Sequence, residues 1–348
     1  MMTHFLILNE LGFVRLLATS LAVLVTLRLT YAYFFSPLRH VPGPLLARLT
    51  SKRGDVDTFS GKVAQNVQAD SGTYGDIYVY KPNAVCISHP RDIRTILSSQ
   101  EFEKGQFFDI FNDNGTPNIV SLKKPEQVSR RRRQIGPYFN YGYLSKMEAL
   151  ILRHGYIALK NKWDRLVAEN NGNPTEVNYR IDTQLVTFDI MSVLAFGREV
   201  DSISKGSSSI IKWSSIIMSL LGSPIVIGLL SLLPFSLIMR PWKHMYRELA
   251  IYSKESLDMR KRILATGAEK PVDLLQAFIE AEDPESKTKM TPQEVQAESI
   301  MMMLAGSETT SSAIMWSFHL LMLYPETLKR AVEEVRSAFP LDLSLIHI

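Results

Sequence analysis

Apolar residues are distributed along this chain in patterns that predict a mostly helical protein with one small β-hairpin. From about Glu126 onward they recur at helical spacing. The segment Asp182–Arg198 is apolar on nearly every face, which is typical of a helix buried within a helical domain. Residues 77–80 and 84–87 are short β-rich runs separated by a Lys-Pro-Asn turn, which predicts a hairpin. The predicted fold class is therefore α+β, mainly α with a small β-sheet.

An apolar run near the N-terminus, Phe13–Phe35, predicts a transmembrane anchor. Arg28 interrupts this run, at a cost of about 2.5–3.5 kcal/mol at a helix centre, although near a helix end its head group reaches the interface. A cleaved signal peptide is the alternative, but no small-residue cleavage site follows. Basic residues after the run predict that the next domain faces the cytosol; they are Arg39, Arg48, Lys52 and Arg53.

Two further segments shape the expected organisation of the chain. Residues 41–44 read Val-Pro-Gly-Pro, and because proline fixes φ and stops a helix, they predict a stiff elbow. Residues 210–239 are long and apolar enough for a second membrane span, which their prolines and serines disfavour. We therefore expect an anchor at residues 1–36, a proline-rich hinge at 37–53 and a folded domain at 54–342.

The long apolar run Ile300–Leu323 carries the polar residues with the clearest chemical meaning. Glu308 and Thr309 are adjacent, so they lie about 100° apart on a helix and can flank one cavity. A carboxylate and a hydroxyl buried together form a proton-delivery pair. The small residues Ala305 and Gly306 just before them would let a flat ligand approach the backbone.

The helix that carries this motif is expected to begin at Thr291. That residue provides an N-cap, Pro292 suits the first helical position, and Glu294 completes a capping box. An alternative interpretation of the motif is a core helix with a polar kink, in which the hydroxyls bond back to backbone carbonyls.

Composition narrows the class of protein. Of the 348 residues, 46% are hydrophobic and 21% charged, which are globular values, and a mean hydropathy of zero points to membrane contact. A net charge of +4 without a basic stripe gives no case for nucleic acid. One cysteine excludes a disulfide framework or a cysteine-rich metal site, and the seven histidines show no metal-ligand spacing.

Residues 305–310, Ala-Gly-Ser-Glu-Thr-Thr, resemble the oxygen-activation motif of the cytochrome P-450 family and match its pattern at every position. The proline-rich hinge and the Phe-Gly ending of the segment at 182–198 resemble the family too, and the Arg-rich helix resembles fungal members. The resemblance extends from Pro42 to about Pro340. It implies the cytochrome P-450 fold, haem b as cofactor, and electrons from NADPH through a cytochrome P-450 reductase. The implied reaction inserts one oxygen atom of O2 into a small hydrophobic organic substrate.

The resemblance also implies roles for individual residues. Thr309 is expected to hydrogen-bond the oxygen activated at the haem, and Glu308 to relay protons from water. The groove beside them is expected to be lined by Ala305, Gly306 and Thr310. An aromatic cluster falls where the family caps its haem pocket, so it is expected to contact substrate, with local core packing as the alternative: Phe107, Phe108 and Phe111.

The four successive arginines 130–133 point all round a helix, so they are not expected to share one partner. In the resembled family this helix presents two residues, four apart, to a haem propionate, and they correspond to Val128 and Arg132. Val128 departs from the pattern because it cannot donate a hydrogen bond. Arg132 is expected to bind a propionate, since a fork-shaped cation suits a carboxylate. The other arginines are expected to form a solvated basic face, or one that docks an acidic electron donor.

The family holds its haem iron with a cysteine thiolate in a C-terminal loop. The single cysteine here, Cys86, lies in the predicted hairpin, where a small buried hydrophobe is expected. We therefore expect the N-terminal two-thirds of a cytochrome P-450 domain, which lacks the haem-ligating cysteine and is inactive by itself. Residues 343–348 resemble a translated sequencing adapter and are expected to be foreign, with an ordinary apolar tail as the alternative.

The expected location is the endoplasmic reticulum membrane, with a single pass, contact with membrane lipid and a cytosolic domain. In the resembled fold, residues 210–239 form a mobile roof over the substrate channel. Two other classes of function stay open. One is a non-enzymatic, membrane-bound helical scaffold that does not bind haem. The other is a multi-span transporter with Glu308 as an intramembrane relay, which the predicted hairpin at residues 76–87 disfavours.

Overall fold

The computed structural model describes residues 16, 19–99, 101–113, 115–206 and 240–338. Residues 19–30 are helical. The following helices are α1 Leu45–Leu49, α2 Lys52–Phe59, α3 Val63–Tyr74, α4 Pro90–Ser98, α5 Pro125–Ile135, α6 Tyr141–Leu144, α7 Glu148–Ile151, α8 Ala158–Glu169, α9 Tyr179–Phe196, α10 Ser202–Lys205, α11 Arg240–Ala265, α12 Leu274–Glu280, α13 Pro292–Leu323 and α14 Pro325–Ala338. The prediction of a mainly α chain with a small sheet is confirmed for these residues.

The described residues form two compact units, which separate between Phe102 and Glu103. The first unit holds the sheet, in which β1 (Ile77–Lys81) pairs antiparallel with β2 (Ala84–Ile87). Tyr78 lies opposite Cys86 in this register. The predicted hairpin is thus confirmed, with its turn shortened to two residues because the lysine joins β1.

The proline-rich hinge packs against the same hairpin. The backbone N–H of Val79 donates a hydrogen bond of 2.8 Å to the carbonyl of Pro42. Tyr78 and Val79 are both buried, and because neighbouring strand residues point to opposite faces, both faces of β1 are covered at this point. The hinge therefore belongs to the folded unit and is held by a backbone bond as well as by proline geometry.

Among the described residues, no helix combines the length and the apolar character needed to cross a bilayer. Several residues of the expected anchor, 13–15, 17 and 18, lie outside the described residues. The apolar run at 210–239 and the expected foreign tail at 343–348 lie outside them as well.

The core of the second unit is built on α9 and the long helix α13. Leu185 and Phe188 of α9 pack with Ile300 and Met303 of α13 in one buried cluster. Thr187 adds a polar tie between the same helices, because its hydroxyl donates to a carbonyl of α13 at 3.0 Å. The prediction that α9 is buried on nearly every face is confirmed, and its polar residues are buried along with its apolar ones.

The long helix begins where the sequence predicts. Thr291 caps α13 by accepting from the N–H of Glu294 at 3.2 Å, and the Glu294 carboxylate accepts from the N–H of Thr291 at 2.8 Å. Pro292 occupies the first helical position. The predicted capping box is confirmed, and it fixes the first turn of the helix that carries the site.

Candidate active site

The motif residues expected to act where oxygen binds lie together in the middle of α13. Ala305, Gly306 and Glu308 are half-buried, whereas Thr309 and Thr310 are exposed. The Thr309 hydroxyl donates a hydrogen bond of 2.6 Å to the carbonyl of Ala305, one turn earlier. A carboxyl, two hydroxyls and a small side chain therefore share one stretch of helix, with the Thr309 hydroxyl oxygen still able to accept a hydrogen bond.

Gly306 serves helix packing. A Cβ atom at this position would lie 2.6 Å from the sulfur of Met191 on α9, so the missing side chain lets the two helices approach closely. Its expected place beside a flat ligand stays a prediction, since the contact described for it faces α9. Of the neighbouring motif residues, Ala305 is half-buried and Thr309 is exposed.

Beyond the motif, the described residues leave the C-terminal half of α13 largely uncovered. Its exposed large side chains are apolar: Trp316, Phe318, Leu320, Met322 and Leu323. Glu308, Thr309 and Thr310 were expected to be buried in such a run. Instead the motif lies at the border between the packed half of α13 and this open half, which is why both threonines are exposed.

The four arginines of α5 divide among different environments. Arg131 is fully buried and donates to Glu298, and to Glu294 at 2.5 Å. Arg130 also contacts Glu294, at 3.5 Å. The four arginines therefore do not share one partner, as expected, although Arg130 and Arg131 both reach Glu294 because their long stems are flexible.

Arg130, Arg131 and Arg133 were expected to form a basic face, and this was wrong for Arg131 and Arg133. Arg131 is buried and cannot meet a partner protein. Arg133 donates to both oxygens of Asp283, at 2.6 and 3.0 Å, and contacts Glu285 at 3.1 Å. This pairing holds the pKa of Asp283 well below its usual range. The arginines other than Arg132 therefore act mainly within the protein.

Arg132 points away from these pairs and is exposed. Its charge lies close enough to Lys104 to lower the pKa of that lysine, although burial is the larger cause. The Lys104 ammonium donates to the carbonyls of Ile119 and Val120, both at 2.8 Å. Two cations whose charges interact, one of them exposed, suit an anionic group. Lys104 was missed in the sequence because nothing local marks it.

The three phenylalanines form one aromatic cluster. Phe107 meets Phe108 and Phe111 edge to face, with ring centroids 5.8 and 6.0 Å apart. The Lys104 ammonium lies 5.7 Å from the Phe108 centroid, which brings the cluster close to the cationic pair. Phe107 is 51% exposed, so the cluster has an open side where an apolar molecule can pack.

These residues fit one side of a haem. Thr309 is exposed one turn after the half-buried Ala305, and the charges of Arg132 and Lys104 suit carboxylates. The other side needs an anionic sulfur ligand, and the single thiol of the chain, Cys86, is paired with Tyr78 in the hairpin of the first unit. The chain's own residues thus fit the oxygen side and the propionates, but they do not include a placed thiolate.

A buried carboxyl upstream of the motif was missed by sequence reasoning. Glu298 is fully buried, and its Oε1 accepts from the N–H of Ile119 at 2.8 Å as well as from Arg131. Its Oε2 has no hydrogen-bond partner among the described residues. Burial raises the pKa of Glu298 to about 7, against the opposing effects of Arg131 and the Ile119 amide.

Comparison with known proteins relates this chain to the cytochrome P-450 family. Residues 40–344 match the family model for cytochrome P-450. The chain is 68% identical over 336 residues to cytochrome P-450 monooxygenase helB1 of Aspergillus fumigatus, covering 96% of this chain and 58% of that protein. It is 51% identical over 317 residues to helB2 of the same fungus, covering 90% and 62%. The chain thus spans about three fifths of the length of these relatives.

Proposed function

This chain belongs to the cytochrome P-450 family, and on that premise we propose that the protein is a haem-dependent monooxygenase. The proposed reaction inserts one oxygen atom of O2 into a small hydrophobic organic substrate, with electrons from NADPH through a cytochrome P-450 reductase. The observation that carries the proposal is the motif at residues 305–310, which lies on α13 with both threonines exposed and the Thr309 hydroxyl bonded to the Ala305 carbonyl.

Haem, when bound, supplies the binding and reductive activation of O2. The protein's residues then have separate tasks. Arg132, with the charge of Lys104 near enough to interact, would hold the carboxylates of the cofactor. Thr309 donates a hydrogen bond toward the oxygen side, for which its hydroxyl must turn from Ala305. Glu308 holds or releases a proton at its carboxyl, so that proton supply matches the reaction.

Substrate and water are handled by other groups. The cluster of Phe107, Phe108 and Phe111 offers an apolar, partly exposed surface for an organic molecule. Burying such a molecule against aromatic rings displaces water, which favours binding and keeps protons on the hydroxyl and carboxyl route. The cluster therefore supports a hydrophobic substrate class.

We further propose that the N-terminal apolar run anchors the protein in the endoplasmic reticulum membrane, with its domain in the cytosol. The support is the sequence of Phe13–Phe35 and the basic residues that follow it. Carbonate extraction of the tagged protein tests this proposal. Retention in the membrane pellet is expected, and release into the soluble fraction would contradict it.

The alternative function is a membrane-bound helical scaffold without haem. Sequencing the transcript past the codon for Pro340 separates the two: codons for a cysteine in a Gly-rich loop support the enzyme, and a native stop codon supports the scaffold. The full-length protein, reduced under carbon monoxide, should then give the Soret band of a thiolate-ligated haem. A spectrum without that band would overturn the proposed enzyme.

A further inference from the structure

The strongest feature outside the motif is the buried attachment of α5 to α13. The Arg131 guanidinium donates to Glu298 and Glu294 on α13, and its Nε donates to Gln134 at 3.2 Å. Arg131 and Glu298 are both fully buried. A guanidinium committed in this way on three sides leaves α5 little freedom to shift along α13.

The same carboxyl also holds a loop. Glu298 Oε1 accepts from the N–H of Ile119, and the Ile119 carbonyl accepts from Lys104. The segment 118–122 is closed on itself by Asn118, whose Oδ1 accepts from the N–H groups of Val120 and Ser121 at 3.0 and 3.2 Å. These bonds make the segment 118–122 a closed turn, and Glu298 is the residue that joins it to α13.

We propose that Glu298 is a positioning residue that acts through Arg131: it holds α5 and the segment 118–122 on α13 and so places Arg132, next along α5, relative to the motif. The role of Arg132 rests on the proposed function. The attachment itself does not depend on that function.

The attachment is linked to a proton. The charged groups that face Glu298 are Arg131 from α5, Glu294 from α13 and Lys104 beside the segment 118–122. Because Glu298 Oε2 has no partner, it can take a proton without displacing the bonds that Oε1 accepts. We call the structure closed when the segment 118–122 is bonded to Glu298. In that state the pKa of Glu298 rises from its ordinary value of 4.5 to about 7, so closing favours the protonated form.

The sign of the pH effect follows from that difference. When the segment opens, Glu298 meets water and its pKa falls back toward the ordinary value. Closing therefore binds a proton between about pH 5 and 7, and protection of the segment falls by up to about tenfold per pH unit as the pH rises through that window. Above about pH 7 both states are ionised and the effect is complete.

Hydrogen exchange of the full chain between pH 5 and 8, expressed as protection factors for residues 116–123, tests this proposal. Wild type should lose protection as stated, Glu298→Gln should be flat, and the control Glu285→Gln should follow wild type. Glu285 is a suitable control because it contacts the same helix through Arg133 but is exposed. An unchanged pH profile in Glu298→Gln would overturn the proposal.

A double variant guards against misfolding. Arg131→Gln alone leaves the Glu298 carboxylate buried without its cation and should lower the unfolding midpoint. Adding Glu298→Gln removes that charge, so the double variant should recover most of the loss while keeping a flat exchange profile. If the double variant is as unstable as the sum of the single variants, Glu298 does not act through Arg131 and the proposal fails.

Haem titration of the full-length protein separates this proposal from the proposed function. Glu298→Ala, which removes the accepting oxygen, and Arg132→Ala should each weaken haem binding several-fold, whereas Glu285→Gln should not. A wild-type protein that shows the exchange profile but binds no haem would overturn the proposed function and leave the attachment standing. Haem binding that Arg132→Ala weakens and Glu298→Ala leaves unchanged would overturn the placement of Arg132 by Glu298.

Discussion

At the scale of single residues, Thr309 has a close match on the same helix. The Thr309 hydroxyl donates to the carbonyl of Ala305 at 2.6 Å, and the Ser317 hydroxyl donates to the carbonyl of Ala313 at 2.8 Å. Both residues are exposed, and each bonds the carbonyl one turn earlier. Any effect on helix stability should therefore be similar at the two sites, and only Thr309 lies in the motif.

We predict that Thr309→Ala in the full-length protein raises the share of NADPH electrons lost as peroxide several-fold. Losing the hydroxyl removes a hydrogen bond worth about 1 kcal/mol that steadies the oxygen side of the reaction. The measurement is peroxide and product formed per NADPH consumed. Ser317→Ala should behave like wild type, and an equal peroxide leak in all three proteins would make Thr309 a structural residue only.

We predict that Glu308→Gln lowers the turnover number by at least about tenfold, because an amide cannot relay a proton. Binding of substrate should change little, since the amide keeps the shape of the side chain. Steady-state kinetics over a range of pH measures both effects. Glu334→Gln, on the exposed surface of α14, is the control. Turnover equal to wild type would exclude proton relay by Glu308.

Sequence and structure differ most at residues whose roles depend on distant partners. The motif residues could be predicted because their types are unusual in an apolar run. Glu298 could not, because it looks like an ordinary helix residue until Arg131 and Ile119 come from far along the chain to meet it. The same is true of Gly306, because its packing role depends on Met191, which comes from another helix.

At the scale of elements, the end of α9 depends on a glycine with two constraints. Gly197 has φ +63°, and a Cβ there would overlap the Nη2 of Arg260. That guanidinium is buried and donates to Asp273, the N-cap residue of α12. Gly206, at the end of α10, has φ +71° but nothing within 4 Å of its Cβ position. Comparing alanine substitutions at Gly197 and Gly206 therefore separates the cost of left-handed backbone from the cost of displacing Arg260.

We predict that Gly206→Ala lowers the free energy of unfolding by about 1 kcal/mol, the cost of left-handed backbone alone. Gly197→Ala should lower it by at least about 3 kcal/mol, because the buried pair of Arg260 with Asp273 must also shift. Denaturant unfolding of the two variants measures the difference. Equal losses would show that the guanidinium moves aside freely.

Local elements were the most predictable part of the fold. The hairpin and the capping box of α13 depend on neighbours within a few residues, so their sequences specify them directly. The π-helical turn Leu152–Ile157 was not predictable. It contains Gly155, which sits against Ile190 of α9, so its cause lies in packing between helices rather than in local sequence.

At the scale of the whole molecule, family and broad fold were predictable because the motif, hinge and helical pattern agree in order along the chain. The exposure of Thr309 and Thr310, where the open half of α13 begins, was not predicted. The sequence shows that a run is apolar, but it does not show which other parts of the chain pack over that run. The exposure of Thr309 and Thr310 follows from that tertiary fact alone.

The chain of 348 residues has a single thiol, Cys86, which lies in β2 opposite the buried Tyr78. That strand belongs to the only sheet among the described residues, whereas the family holds its haem iron with a cysteine in a loop. We therefore predict that this chain forms no thiolate-ligated haem. Expression with haem precursor, followed by the spectrum of the reduced carbon-monoxide complex, measures this. Wild type and Cys86→Ser should both lack the Soret band of thiolate ligation. A band present in wild type and lost in Cys86→Ser would show that the hairpin cysteine does reach the iron.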